Sequence, residues 1–182
     1  EPERGYGAAC QKGISALRDV DVVVFIDGDY SDVPSEMGLL VAPIVSRRAD
    51  LVIGSRVLGN AETGALTPQQ IFGNRLSCWL MARLYSVRFT DLGPFRAIRM
   101  TSLSALGMRD RNYGWTVEMQ IKAARFGLAV IEVPVSYRRR VGISKISGTL
   151  KGSILAGVTI LSVIARSYFN PKPAPHRNDS LA

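Results

Sequence analysis

The sequence predicts an α/β layered domain, a mostly parallel sheet with helices on both faces. Three observations carry this. Short apolar, β-branched runs within 21–26 and 51–54 read as buried strands. Segments with apolar residues at helical spacing alternate with them. The chain has 182 residues, 47% of them hydrophobic and 21% charged, which is the size and balance of one soluble globular domain. Disordered and fibrous classes are excluded for most of its length.

Taken in order, residues 7–18 place Ala8, Ala9, Ile14 and Leu17 at helical spacing. Residues 21–26 form a strand that runs straight into Asp27-Gly28-Asp29. Pro34 opens a helix over 34–45, with Glu36 near its positive end. Residues 51–54 are a second buried strand, and Ser55-Arg56 follows it. A longer helix over 69–86 carries Arg75, and 95–99 is a strand. The helix over 115–126 is stopped by Gly127. Residues 128–137 alternate and contain Pro134, which confines that strand to a sheet edge. The last helix covers 148–169. Residues 170–182, with three prolines and no core residues, are expected to be a disordered tail.

The net charge is +8, which suits a polyanionic partner. The charge is segregated. Residues 1–55 carry five basic and nine acidic side chains, residues 96–145 ten basic and three acidic. Such a split suits a metal on one side and phosphates on the other; a solvated surface is the plain alternative. Cys10 and Cys78 are too few for a disulfide scaffold and fit no zinc spacing, so both read as buried thiols. The sole histidine, His176, lies in the tail, which argues against histidine catalysis and His-rich metal sites. The longest uncharged stretch, 152–165, has 14 residues, whereas a spanning helix needs roughly 20.

Carboxylates two apart in a turn beyond a strand can both face one hard cation, as Asp27 and Asp29 would, or can be a solvated acidic turn. A calcium EF-hand is excluded, because Asp32 stands where Gly is required and Gly38 where Glu is required. Arg56 can fork onto a phosphate or sit on the surface. Arg75 offers a second guanidinium. Asp91 is a lone carboxylate before the turn Gly93-Pro94. The loop Arg138-Arg139-Arg140-Val141-Gly142-Ile143-Ser144-Lys145 suits phosphate capture, though charge runs are commonly solvated faces.

The order of these motifs resembles family 2 glycosyltransferases of the GT-A fold, in the dolichol-phosphate mannosyltransferase-like branch. The matching residues are Gly5-x-Gly7 with Gly13, Val24 to Asp29, Gly54-Ser55-Arg56 and Gly73-Asn74-Arg75. They continue with Thr90-Asp91, Phe95-Arg96-Ala97, Glu118-Met119 and Tyr137 to Lys145. The resemblance implies that Asp27 and Asp29 hold Mg²⁺ or Mn²⁺ and the nucleoside-diphosphate sugar. It implies that Arg56, Arg75 and Arg140 contact the diphosphate or the acceptor phosphate, and that Ser144 and Lys145 close over the latter. Asp91 matches a position near the acceptor site that is assigned as base where the acceptor is a hydroxyl. Family members begin with a strand-helix-strand segment that binds the base, so the domain is expected to be incomplete at its N-terminus. Tyr30-Ser31 follows the acidic triplet where Leu-Gln or Gly-Gln is usual, and Gly93-Pro94-Phe95-Arg96 replaces Ser-Gly-Phe-Arg. The Gln-x-x-Arg-Trp signature of processive synthases and the membrane-spanning pair of some relatives are absent.

The expectation is therefore a catalytic domain over 1–169 that moves one hexose, with inversion, to a polyprenyl phosphate. Residues 148–169 are expected to lie in a membrane interface, and the protein to be cytoplasmic and peripheral on the inner face. A soluble or polysaccharide acceptor is the nearest rival. A basic nucleic-acid-binding module is disfavoured, because the cations are not interleaved with stacking aromatics and the acidic first part repels phosphate.

Overall fold

The two periodicities of the sequence become four strands and six helices in the computed structural model, which describes residues 5–142 and 150–169. The order is α1 (Tyr6–Ala16), β1 (Val22–Phe25), α2 (Met37–Val45), β2 (Leu51–Ala61), α3 (Pro68–Tyr85) and β3 (Arg96–Arg99). It continues with α4 (Met100–Leu106), α5 (Trp115–Phe126), β4 (Val130–Tyr137) and α6 (Leu150–Phe169). A 3₁₀ turn, Pro34–Glu36, precedes α2, so the expected single helix over 34–45 is split. Thr67 and Gln70 cap α3 reciprocally. Gly127, at φ 70°, ends α5 as expected.

The sheet order is β1-β3-β2-β4. The α/β class stands, but the expected mostly parallel sheet is mixed. β2 and β4 pair in parallel, while β3 is antiparallel to both β1 and β2. Apolar periodicity reports burial on a face and carries no direction, so it could not foresee this. β4 lies at an edge, with Pro134 opposite Ser55, as Pro134 requires. β2 runs well past the expected 54. Its outer half pairs with β4 after a register shift between Ser55 and Asn60 and is exposed, so no burial pattern marked it. The seven-residue α4 had no expectation at all.

Helices cover both faces. On one, Val23, Phe25, Leu51, Ile53 and Ile98 meet α4 and α5 through Leu103, Trp115 and Met119, with α1 alongside. On the other, Val52, Phe95 and Ala97 meet Leu40 and Ile44 of α2. A further layer lies outside α5, where α3 (Cys78, Met81) and α6 (Ile164) enclose Val117 and Ile121. Among the described residues, no helix is long and apolar enough to cross a membrane. Both cysteines are free, and burial raises Cys10 to about 11 and Cys78 to about 12, so both stay thiols at neutral pH. The tail, 170–182, lies outside the described residues.

The start of α1 shows why the glycine pattern matters. Ala8 N–H donates to the Arg111 carbonyl at 2.9 Å. A Cβ on Gly7 would meet the Asp110 carbonyl oxygen at 2.1 Å, and one on Gly5 the Arg111 carbonyl oxygen at 2.1 Å, whereas one on Gly13 would meet nothing within 4 Å. Gly7→Ala is therefore expected to destabilise by about 1–3 kcal/mol through backbone overlap. Gly13→Ala, inside the same helix, is expected to stabilise by up to about 1 kcal/mol through helix propensity. Urea unfolding of the two variants should give opposite signs.

Candidate active site

The site gathers where β1 and β2 end. Phe25 closes β1, and Asp27, Asp29 and Asp32 follow in one turn. Asp32 is buried, and its Oδ2 accepts the Asp27 N–H at 3.1 Å, which fixes the turn. Its other oxygen has no partner among the described residues. Burial chiefly, then the Asp27 charge against the relief of that hydrogen bond, pushes Asp32 up to about 6. Asp29 Oδ1 accepts from the Ser31 N–H and hydroxyl, and Tyr30 takes a left-handed φ of 69° between them.

The basic loop after β4 folds back over this turn. Arg138 N–H donates to the Ser31 carbonyl at 2.8 Å, and Val141 N–H to the Asp29 carbonyl at 2.9 Å. Arg140 Nη2 then reaches Asp29 Oδ2 at 2.8 Å. The Arg138 guanidinium sits 5.0 Å over the Tyr30 ring. Ser144 and Lys145, expected to close over a phosphate, lie outside the described residues.

Beside this turn lies a buried ion pair. Asp91 accepts from Arg56 Nε at 2.8 Å and Nη2 at 2.6 Å, and also from the Arg56 N–H at 2.8 Å. The two side chains are 13% and 1% exposed. Burial works against the Arg56 charge, but the Asp91 hydrogen bonds and charge outweigh it and raise its pKa further. Arg56 also lies 5.0 Å over the Tyr137 ring. Both oxygens of Asp91 are thus engaged by Arg56, a different environment from that of an open base. Arg75 is exposed on α3 and makes no pair among the described residues.

Four residues for which no role was foreseen hold the 90–93 loop that presents Asp91. Glu132, on β4, accepts the Thr90 N–H and hydroxyl at 2.9 and 3.0 Å and the Asp91 N–H at 3.2 Å. Asn74, on α3, donates to the Thr90 carbonyl and accepts the Leu92 N–H, both at 2.9 Å. Gln120, on α5, donates to the Asp91 carbonyl at 3.0 Å. Arg96 is fully buried and donates to the carbonyls of Leu92, Gly93 and Thr116, with no carboxylate partner among the described residues. Burial lowers it to about 10, so it remains charged at neutral pH. A lone carboxylate in the apolar stretch 130–135 was the signal for Glu132.

The acidic turn has the chemistry of a hard-cation site. Asp27 carries no side-chain hydrogen bond among the described residues, and its pKa is raised by burial first and by the Asp29 charge second. Two crowded carboxylates with oxygen-only donors fit Mg²⁺ or Mn²⁺. No group of three or more such ligand residues occurs among the described residues, so further ligands would come from substrate or water.

Residues 1–107 match the profile of "Glycosyl transferase family 2". The chain is 35% identical over 167 residues to an uncharacterised glycosyltransferase of Mycobacterium tuberculosis, covering 91% of this chain and 74% of that protein. It is 33% identical over 155 residues to the undecaprenyl-phosphate mannosyltransferase of Micrococcus luteus, covering 82% of this chain and 63% of that protein. In fold it is similar to the glucosyl-3-phosphoglycerate synthase of M. tuberculosis, solved with Mn²⁺, UDP-glucose and phosphoglyceric acid. The TM-score is 0.70 at 21% identity, over 93% of this chain and 56% of that one. The chain thus spans little more than half the length of the solved protein it matches. With the family profile on its first 107 residues and the GT-A arrangement around them, the chain belongs to glycosyl transferase family 2.

Proposed function

We propose that the chain carries the catalytic centre of an inverting, metal-assisted transferase that moves one hexose from a nucleoside-diphosphate sugar to a polyprenyl phosphate. The observation that carries this reading is the Asp29–Arg140 pair at 2.8 Å. It puts an anion-binding guanidinium and a cation-binding carboxylate at one point of the sheet's end, as transfer between two phosphorylated substrates requires. The kinship with a protein named undecaprenyl-phosphate mannosyltransferase supports the acceptor class. The synthase of the same fold binds Mn²⁺ and UDP-glucose, the ligand classes proposed here for the donor side.

When bound at Asp27 and Asp29, the divalent cation supplies charge stabilisation for the departing diphosphate. The acceptor phosphate is already anionic near neutral pH. Its oxygen attacks the anomeric carbon as the bond to the diphosphate breaks on the opposite side, with no base needed. The protein's part is therefore to hold phosphates. Arg140 exchanges Asp29 for a phosphate oxygen when a cation competes for that carboxylate. Arg56 and Arg75 are assigned to phosphate oxygens, as are Ser144 and Lys145. Asp91 acts as the residue that positions Arg56. The protein is peripheral to the membrane that holds the polyprenyl chain, with α6 at the interface.

Asp29→Ala is expected to abolish transfer and to change stability by less than about 1 kcal/mol, because the Asp29–Arg140 pair is partly solvated. The assay follows radiolabelled sugar into an organic-extractable product formed on polyprenyl phosphate. Retained activity in the variant would refute the metal assignment. Label that enters only water-soluble product would transfer the reading to a soluble phosphorylated acceptor. Asp91→Ala is expected to cost about 3–5 kcal/mol, since it leaves Arg56 buried without its partner. Glu132→Gln, which removes one acceptor oxygen from the loop's anchor, is expected to cost about 1–3 kcal/mol. Urea unfolding checks both; Asp91→Ala losing less than Glu132→Gln would contradict the placement of the ion pair at the centre of the network.

A further inference from the structure

The positive charge of residues 96–145 does not all face the acidic turn. Arg109, Arg111, Lys122 and Arg125 border a second concavity of about 870 Å³, between the segment after α4, helix α5 and the last turn of α6, to which α6 adds Arg166. It shares no lining residue with Asp27, Asp29, Arg56, Asp91 or Arg140. Its wall holds two carboxylates, the buried Glu118 and the partly exposed Asp110. Glu118 accepts the N–H groups of Arg109 and Asp110 at 3.0 and 2.7 Å and pairs with Lys122 at 2.7 Å. Asp110 accepts the N–H groups of Asn112 and Gly114 at 2.8 and 3.0 Å. Arg111 reaches Gln11, and Arg125 the Ser167 carbonyl. The exposed Arg109 and Arg166 have no such partner among the described residues. Of the cleft's five cations, Lys122 is paired with Glu118, Arg111 and Arg125 are engaged as above, and Arg109 and Arg166 are the two exposed arginines that face an incoming anion.

Beside the cleft, α6 turns an apolar stripe outward. Leu155, Val158 and Phe169 are 55%, 56% and 83% exposed. With Arg166 they recur at steps of three and eleven residues, and so share one side of the helix. Tyr168, also exposed, adds a second aromatic at the same end. On the far flank of the stripe, Phe72 and Leu76 of α3 face Val158 and Leu161 across an apolar groove of about 570 Å³. An apolar stripe with aromatics at one end and a cationic cleft along its side is complementary to one kind of surface, a bilayer with anionic phosphates at its rim.

We propose that α6 docks side-on onto an anionic bilayer, its outward stripe entering the acyl boundary, and that the exposed Arg109 and Arg166 at the cleft take the phosphate of a lipid headgroup. The proposal extends the peripheral-membrane part of the functional reading and is independent of the transfer chemistry.

The test is co-sedimentation of the 182-residue chain with phosphatidylcholine vesicles, with and without phosphatidylglycerol. Binding should need phosphatidylglycerol and weaken with salt. Arg109→Gln/Arg166→Gln should weaken it about thirtyfold, from two near-surface charges lost. Leu155→Glu should weaken it too, by removing the apolar contact. Both arginines are exposed and the substitutions leave the Arg109 N–H in place; the single variants, read in the same assay, and a far-ultraviolet dichroism spectrum guard against misfolding. A double variant that binds like the parent chain would overturn the headgroup site, as would a parent chain left in the supernatant at low salt. Calorimetric binding of soluble glycerol phosphate to the cleft, with no vesicle binding, would assign it to a free phosphate instead and also overturn the proposal. Sugar transfer to a short-chain polyprenyl phosphate in detergent separates the two readings. Its absence in the parent chain sinks the transfer chemistry alone, and the double variant should retain whatever transfer the parent shows.

Discussion

The Arg56–Asp91 pair is buried, and both oxygens of Asp91 are met by N–H donors of Arg56. The pair organises the elements around it. β2 supplies Arg56, and the loop before β3 supplies Asp91. β4 anchors that loop through Glu132, α3 through Asn74 and α5 through Gln120. Arg96 closes the underside by gathering carbonyls of the same loop. Gly93 is the corollary: a Cβ there would lie 3.2 Å from Asp91 Oδ2 and 3.3 Å from Arg56 Nε, too close for a side chain to leave the pair undisturbed. The antiparallel entry of β3 belongs to the same arrangement, since it lets the loop before β3 lie at the end of the sheet where β2 presents Arg56.

How much of this was legible follows from which forces act locally. Runs such as Val22–Phe25 are local, and apolar periodicity finds them. Strand direction is not local. The antiparallel β3 has the same apolar content that a parallel strand would have, and α4 is too short to show a period. In the site, the acidic turn was legible because a strand ending in two carboxylates is a local pattern. The partner of Asp29 was not, since Arg140 lies more than a hundred residues away and reaches it only because the chain after β4 folds back. Glu132 was hidden for a related reason. A carboxylate in an apolar strand looks like a surface residue until the loop that it anchors is placed against it.

Charge segregation along the sequence acquires its meaning in three dimensions. The acidic first part and basic second part come together at Asp29 and Arg140, and there they neutralise each other. The compensation is incomplete. Asp27 stays crowded by Asp29, with burial adding to the cost of its charge, and Arg140 and Arg56 relieve it only in part. A cation placed between the two carboxylates would relieve that crowding and at the same stroke release Arg140 from Asp29, because both compete for the same oxygens. The guanidinium so freed needs an anion, and the phosphate of an incoming substrate is one. Binding of cation and of phosphate would then be coupled through a single ion pair, each removing the other's competitor. In the basic cleft beside α6, Glu118 pairs with Lys122 as well as with backbone N–H groups, while the exposed Arg109 and Arg166 have no carboxylate partner among the described residues. The arginine at the acidic turn is therefore screened by the protein itself, whereas Arg109 and Arg166 at the cleft present their charge outward.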